Sequence, residues 1–139
     1  MNRPRMQVSS VVLGAPDPSG LAGFYQRLLG WTVVSDEPAR PGFPPEDGWA
    51  MLRPPPGEAG LRALSIQWEP DYKPPVWPPA PGEQQMMLHL DIAVEDLDAG
   101  AAWAQEAGAV LAGHQPQKAV RVMLDPAGHP FCLFLRAVD

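Results

Sequence analysis

The chain has 139 residues, 45% of them hydrophobic, which suits one globular domain with a real core. Its net charge of -6 leaves no basic patch for phosphates and excludes nucleic acid as a partner. No apolar run reaches the length of about 18 residues that spans a membrane, no apolar leader precedes a cleavage site, and the single cysteine, Cys132, forms no internal disulfide and fits a reducing cytoplasm.

In chain order, Gln7 to Leu13 reads as a strand. Asp17 and Ser19 offer N-cap oxygens, and Pro18 suits an early helical position. Leu21, Phe24, Tyr25 and Leu28 then recur at i, i+3, i+4 and i+7, which is one apolar helix face, and Gly30 stops that helix. Trp31 to Ser35 is a β-branched strand, and Trp49 to Arg53 and Leu61 to Trp68 supply two more. Nineteen prolines cluster at Pro38 to Pro45, Pro54 to Pro56 and Pro70 to Pro81. Proline fixes its own φ and donates nothing to a sheet ladder, so these stretches are stiff loops.

The second half repeats the order. Met86 to Val94 reads as a strand, and Asp96 or Asp98 caps a helix. Gly100, Trp103, Ala104 and Ala107 carry the stripe, which lets the Trp103 indole pack against a sheet among small neighbours, and Gly108 stops the helix. Ala109 to Ala112, Ala119 to Leu124 and Phe131 to Arg136 are strands, with a turn from Asp125 to Pro130. Ser10 precedes Asp17 by the same spacing as His89 precedes Asp96, so the halves are a repeat of about 79 residues. This gives module 1 at about 7–68, a proline-rich linker at 69–85 and module 2 at about 86–136. The expectation is an α+β domain of two βαβββ modules, forming a half-barrel of mixed sheet around a cleft with the helices outside. Ser10 and His89 are equivalent positions, placed to face one shared cavity.

Three stretches carry a family resemblance: Phe24-Tyr25-x-x-Leu28-Leu29-Gly30-Trp31, His89-Leu90-Asp91-Ile92-Ala93-Val94, and Leu124-Asp125-Pro126-Ala127-Gly128-His129-Pro130-Phe131. The order and these words resemble the vicinal oxygen chelate superfamily, which includes glyoxalase I, extradiol dioxygenases, fosfomycin-resistance transferases and bleomycin-binding proteins. The ending is most similar to its glyoxalase-like domains. The resemblance implies a pocket, often a dimer, and in catalytic members a divalent metal held from the first, fourth, fifth and last strands. Carried onto this chain, those positions fall on Ser10, on Gln67 or in another register Ser65, on His89, and on Cys132.

The residue types at those positions weaken the metal expectation. Only His89 is a good ligand as it stands; Cys132 serves only as thiolate, Ser10 and Gln67 are weak neutral donors, and no carboxylate is present. The expectation is no metal; if one binds, His89 with Cys132 holds a divalent ion such as Zn²⁺, Ni²⁺, Mn²⁺ or Fe²⁺. Asp91 lies on the same side of the strand as His89 and is placed to orient it. His114 and His129 read as surface residues, and no serine–histidine nucleophile motif is present.

The chain has five tryptophans. Trp31 and Trp103 have core explanations; Trp49, Trp68 and Trp77 do not. Trp77, with Tyr72, lies in the proline-rich linker, either as a lid over a ligand or as a pin on the protein's own surface. The ligand-binding set is therefore Ser10, Gln67, His89, Cys132, Trp68 and Trp77. Three functions remain open: a metal-independent binder of a small, partly aromatic molecule in the cleft, a metal-dependent lyase, isomerase or dioxygenase acting through His89 on vicinal oxygens, and a structural or regulatory module acting through a partner. A homodimer is expected from the resemblance.

Overall fold

The computed structural model describes residues 1–138. Module 1 holds strand β1 (Val11–Ala15), helix α1 (Pro18–Leu29), β2 (Thr32–Glu37), β3 (Trp49–Arg53) and β4 (Leu64–Trp68). Module 2 holds β5 (Asp91–Val94), α2 (Leu97–Ala107), β6 (Val110–Leu111), β7 (Val120–Leu124) and β8 (Pro130–Leu135). The sheets run β1-β4-β3-β2 and β5-β8-β7-β6, so the repeat holds at the level of topology. In each, the first strand pairs in parallel with the last, and the other pairings are antiparallel. This is the α+β fold of two βαβββ modules, with each helix on one face of its own sheet.

The caps set the helix limits. The Asp17 carboxylate accepts the Gly20 N–H at 3.0 Å, and Asp96, not Asp98, accepts the Ala99 N–H at 2.9 Å. Gly30, at φ 69°, takes the left-handed turn that ends α1 and returns its N–H to the Gln26 carbonyl. Leu21, Ala22, Phe24 and Tyr25 are the buried face of α1; Ala104 and Ala107 are that of α2.

One apolar core spans both modules, with Phe24 and Phe131 rings 6.1 Å apart. The helices also touch directly. Arg27 donates through Nε and Nη2 to the Ala107 carbonyl, at 3.1 and 3.0 Å. Trp103 departs from the expectation that its indole packs on a sheet. It is 58% exposed, and its N–H donates to the Leu28 carbonyl at 3.0 Å. The alanines already bring the α2 backbone close to the core, so the indole reaches sideways to α1.

Several strands are shorter than their apolar patterns: β4 begins at Leu64 rather than Leu61, and β6 keeps only Val110–Leu111. β1 begins at Val11 rather than Gln7 because its only neighbour, β4, begins opposite it at Leu64. β5 begins at Asp91 rather than Met86, opposite Cys132, and β8 itself starts only at Pro130. Residues 7–10 and 86–89 pair with no strand among the described residues, while the Leu90 carbonyl accepts the Cys132 N–H.

The linker lies on module 2. The Tyr72 ring sits 5.2 Å from that of His129, a Cβ built on Gly128 would come within 2.8 Å of Pro74, and Trp77 donates to the His114 carbonyl at 3.0 Å. Val76 and Gln84 close the strap on itself with a backbone bond of 2.9 Å.

Candidate functional site

Each sheet has one face against its helix and one face open, and strand alternation assigns the side chains. In module 1, Leu64, Ile66 and Trp68 alternate with Ser65 and Gln67 along β4, and the buried Leu64 and Ile66 mark the helix side. Ser65 and Gln67 therefore share the open face. Cross-strand pairing adds Met51 opposite Ser65, Trp49 opposite Gln67, and Val12 beside Ser65. Ser65 donates to the Ser10 Oγ at 3.2 Å, and Gln67 reaches Glu69 at 3.5 Å.

In module 2 the open face carries Asp91 and Ala93 from β5 and Cys132 and Phe134 from β8. His89, just before β5, places Nε2 3.0 Å from Asp91 Oδ1. The ligand atoms of His89, Asp91 and Cys132 all lie within 4.8 Å of one another. Burial, and then the neighbouring Asp91 charge, push the Cys132 thiol above its ordinary value, so it is a protonated thiol near neutral pH.

The repeat settles the register. Val12 pairs with Ser65 as Asp91 pairs with Cys132, so Ser65 is the counterpart of Cys132, and Gln67 stands further along the same face. The other expected residues separate. Trp68 lies on the helix side of β4, near Gly48, and not beside Gln67. Trp77 is pinned by its hydrogen bond to His114, as a strap contact. The space of about 390 Å³ between the modules is lined by neither Ser10 nor His89; each side chain turns to a partner on its own sheet.

Sequence reasoning assigned no site role to Trp49, Met51 and Phe134. Alternation within their strands would have placed Trp49 and Met51 on one face, but their meeting with Ser65 and Gln67 needs the β3–β4 register.

A divalent catalytic ion does not suit the four positions Ser10, Ser65, His89 and Cys132. The serine hydroxyls are bonded to each other, no position is a carboxylate, and the thiol holds its proton. His89, Asp91 and Cys132 make a different set, a nitrogen, an oxygen and a sulfur from one module, which suits a borderline ion such as Zn²⁺ once the thiol is deprotonated.

His129 is no surface residue. Its side chain is 15% exposed, with Nδ1 2.8 Å from Oδ2 of the fully buried Asp125. Asp125 also accepts the Tyr25 hydroxyl at 2.8 Å, across the modules, and the N–H groups of Ala127 and His129. This network holds the turn before β8, and thereby Cys132, against α1.

The family comparison agrees with this architecture. The model of the glyoxalase-like domain matches residues 10–134. A possible glyoxalase from Bacillus cereus superposes with a TM-score of 0.60 at 14% identity, over 94% of this chain and 99% of that one. A glyoxalase family protein from Enterococcus faecalis gives 0.60 at 22% identity, over 92% and 96%. The antibiotic binding protein TnmS3 from Streptomyces gives 0.56 at 20% identity, over 98% and 100%. At these identities the likeness is one of fold. No curated protein matches the sequence. With a family model across residues 10–134 and both modules in the expected order, the chain belongs to the glyoxalase-like domain family of the vicinal oxygen chelate superfamily.

Proposed function

We propose that this protein binds a small, partly aromatic molecule on its open sheet faces without a catalytic metal. The observation that carries the reading is the donor set itself. Ser10, whose Oγ accepts from the buried Ser65 and keeps its own O–H, Gln67 and a protonated Cys132 offer hydrogen bonds to a neutral ligand and poor ligation to a hard cation. Trp49, Met51 and Phe134 add flat and adaptable apolar surface on the same faces. The fold likeness to an antibiotic binding protein is consistent with sequestration rather than turnover.

A second copy of the chain completes this picture. Val8 and Met87 are repeat equivalents, 82% and 78% exposed, on the segments that precede β1 and β5. A homodimer that covers them brings the module 1 face of one chain toward the module 2 face of the other. The reading places the protein in the reducing cytoplasm, in keeping with its one free cysteine; no helix among the described residues is long and apolar enough to cross a membrane.

The test is a tryptophan-quenching titration with bleomycin and with naphthalene and acridine dyes, in chelator. Saturable quenching that disappears in Trp49→Phe supports the reading. Quenching that persists in that variant, or none with any probe, refutes it.

The His89, Asp91 and Cys132 set favours a second reading, a metal-dependent lyase, isomerase or dioxygenase. In that case His89→Ala and Asp91→Ala lose a stoichiometric ion that the wild type retains through desalting. When bound, the ion would polarise a substrate oxygen.

A further inference from the structure

Between the modules lies a cavity of about 390 Å³, which Ser10, Gln67, His89 and Cys132 do not line. Its walls are apolar: Leu29 and Trp31 beyond the end of α1, Leu64 at the start of β4, and Leu90 and Ile92 around β5. The Trp31 N–H already donates to Glu58 Oε2 at 2.9 Å, so the indole offers the cavity an apolar surface. The second Glu58 oxygen makes no hydrogen bond among the described residues, and Arg136 stands on the same rim.

The remaining wall is a strand edge. Among the described residues β5 pairs only with β8. The Cys132 N–H donates to the Leu90 carbonyl and the Arg136 N–H to the Val94 carbonyl, each at 2.9 Å. In a parallel ladder, the residues between those bonded to one neighbour turn their N–H and C=O to the other side. Asp91 and Ala93 are those residues, and both line the cavity. A half-open, partly apolar space with an unpaired strand edge is complementary to an extended backbone.

We propose that this cavity binds short apolar peptides, or molecules built like them, extended along the free edge of β5. Amide groups pair with Asp91 and Ala93, and apolar side chains fill the space between Trp31, Leu64 and Ile92. A terminal ammonium meets Glu58 and a terminal carboxylate meets Arg136. The volume falls in the range of about 300–1,000 Å³ that small-molecule pockets occupy. The inference is independent of the metal-free reading, because none of Ser10, Gln67, Cys132, Trp49, Met51 and Phe134 lines the cavity; Asp91 is shared with the metal-dependent reading.

Calorimetric titration of the full chain with tri-leucine tests it. Ala93→Pro deletes an N–H that β8 does not use, at an edge position where proline is tolerated. Leu61→Trp fills the cavity from a loop position that is 40% exposed, so one of the two variants reports even if the other fails to fold. The expected result is saturable binding by the wild type, weakened about tenfold or more by each folded variant and by capping both peptide termini. Val12→Trp, on the open face of module 1 and 50% exposed, is expected to leave it unchanged. No binding by the wild type, or binding indifferent to both Ala93→Pro and Leu61→Trp, overturns the inference. Loss of peptide binding in a folded Val12→Trp also overturns it, since the peptide would then sit on the open face.

Discussion

Tyr25→Phe isolates the bond that ties the two modules together at greatest sequence distance. The Tyr25 hydroxyl donates to Asp125 Oδ2 at 2.8 Å, and both side chains are buried. Burial and then the Asp125 charge hold the phenol well above its ordinary value, so it remains a protonated donor. Phenylalanine keeps the ring and its edge-on contact with Phe24, whose centroid is 4.8 Å away, and removes only the donor. Asp125 keeps the Ala127 and His129 N–H groups and the His129 ring, so the carboxylate stays partly satisfied. A hydrogen bond to a charged group contributes about 1.5–3 kcal/mol, so the expected loss is about 2 kcal/mol. For a chain of this size that lowers the thermal midpoint by roughly 6 °C. Urea unfolding with the slope held as a free parameter measures it. A loss below about 0.5 kcal/mol would refute the reasoning, because surface substitutions already scatter that much.

Other substitutions address the strap, the thiol and an exposed carboxylate. Gly128→Ala puts a Cβ within 2.8 Å of Pro74 at a φ of +87°, and should destabilise by about 1–3 kcal/mol in a melt, with partial recovery on adding Pro74→Gly. Asp91→Asn removes the second cause of the high Cys132 value, so the pH midpoint of alkylation by iodoacetamide should move down; an unmoved midpoint would mean that Asp91 does not act on the thiol. Hydrogen bonds from the Arg40 side chain and backbone lower the Asp47 carboxyl to about 2. A depressed folded value means its stabilising contribution is complete above the ordinary carboxyl range and is lost as pH falls through about 2. Carboxyl NMR should show that midpoint, and Arg40→Ala should raise it part of the way, because the N–H of residue 40 still donates to Asp47.

The repeat was legible because each half carries the same signals in order: an Asp cap, an apolar helix stripe and a stopping glycine. Register was harder to read. Strand alternation places Ser65 and Gln67 on one face, but only pairing with Val12 shows which of them is the counterpart of Cys132. Strand ends also depend on neighbours, so the apolar alternation at Gln7 and Met86 overran: β1 begins opposite the first residue of β4, and β8 reaches back only to Pro130. Trp103 looked like core by helical spacing and proved to be a bridge to α1, because spacing fixes a face of the helix and not what lies opposite it. The Asp125 network was unreadable for the same reason: Tyr25 and His129 meet across the modules only after folding.

Native mass spectrometry, on protein purified without chelator and mixed with bleomycin and the naphthalene and acridine dyes, addresses the central claim most directly. It resolves ligand, metal and chain number in one spectrum. The account expects a dimer that takes up one of these aromatic molecules, carries no stoichiometric metal, and keeps its ligand after chelator is added. A stoichiometric ion that disappears in His89→Ala, together with ligand binding that is lost on chelation, would contradict it.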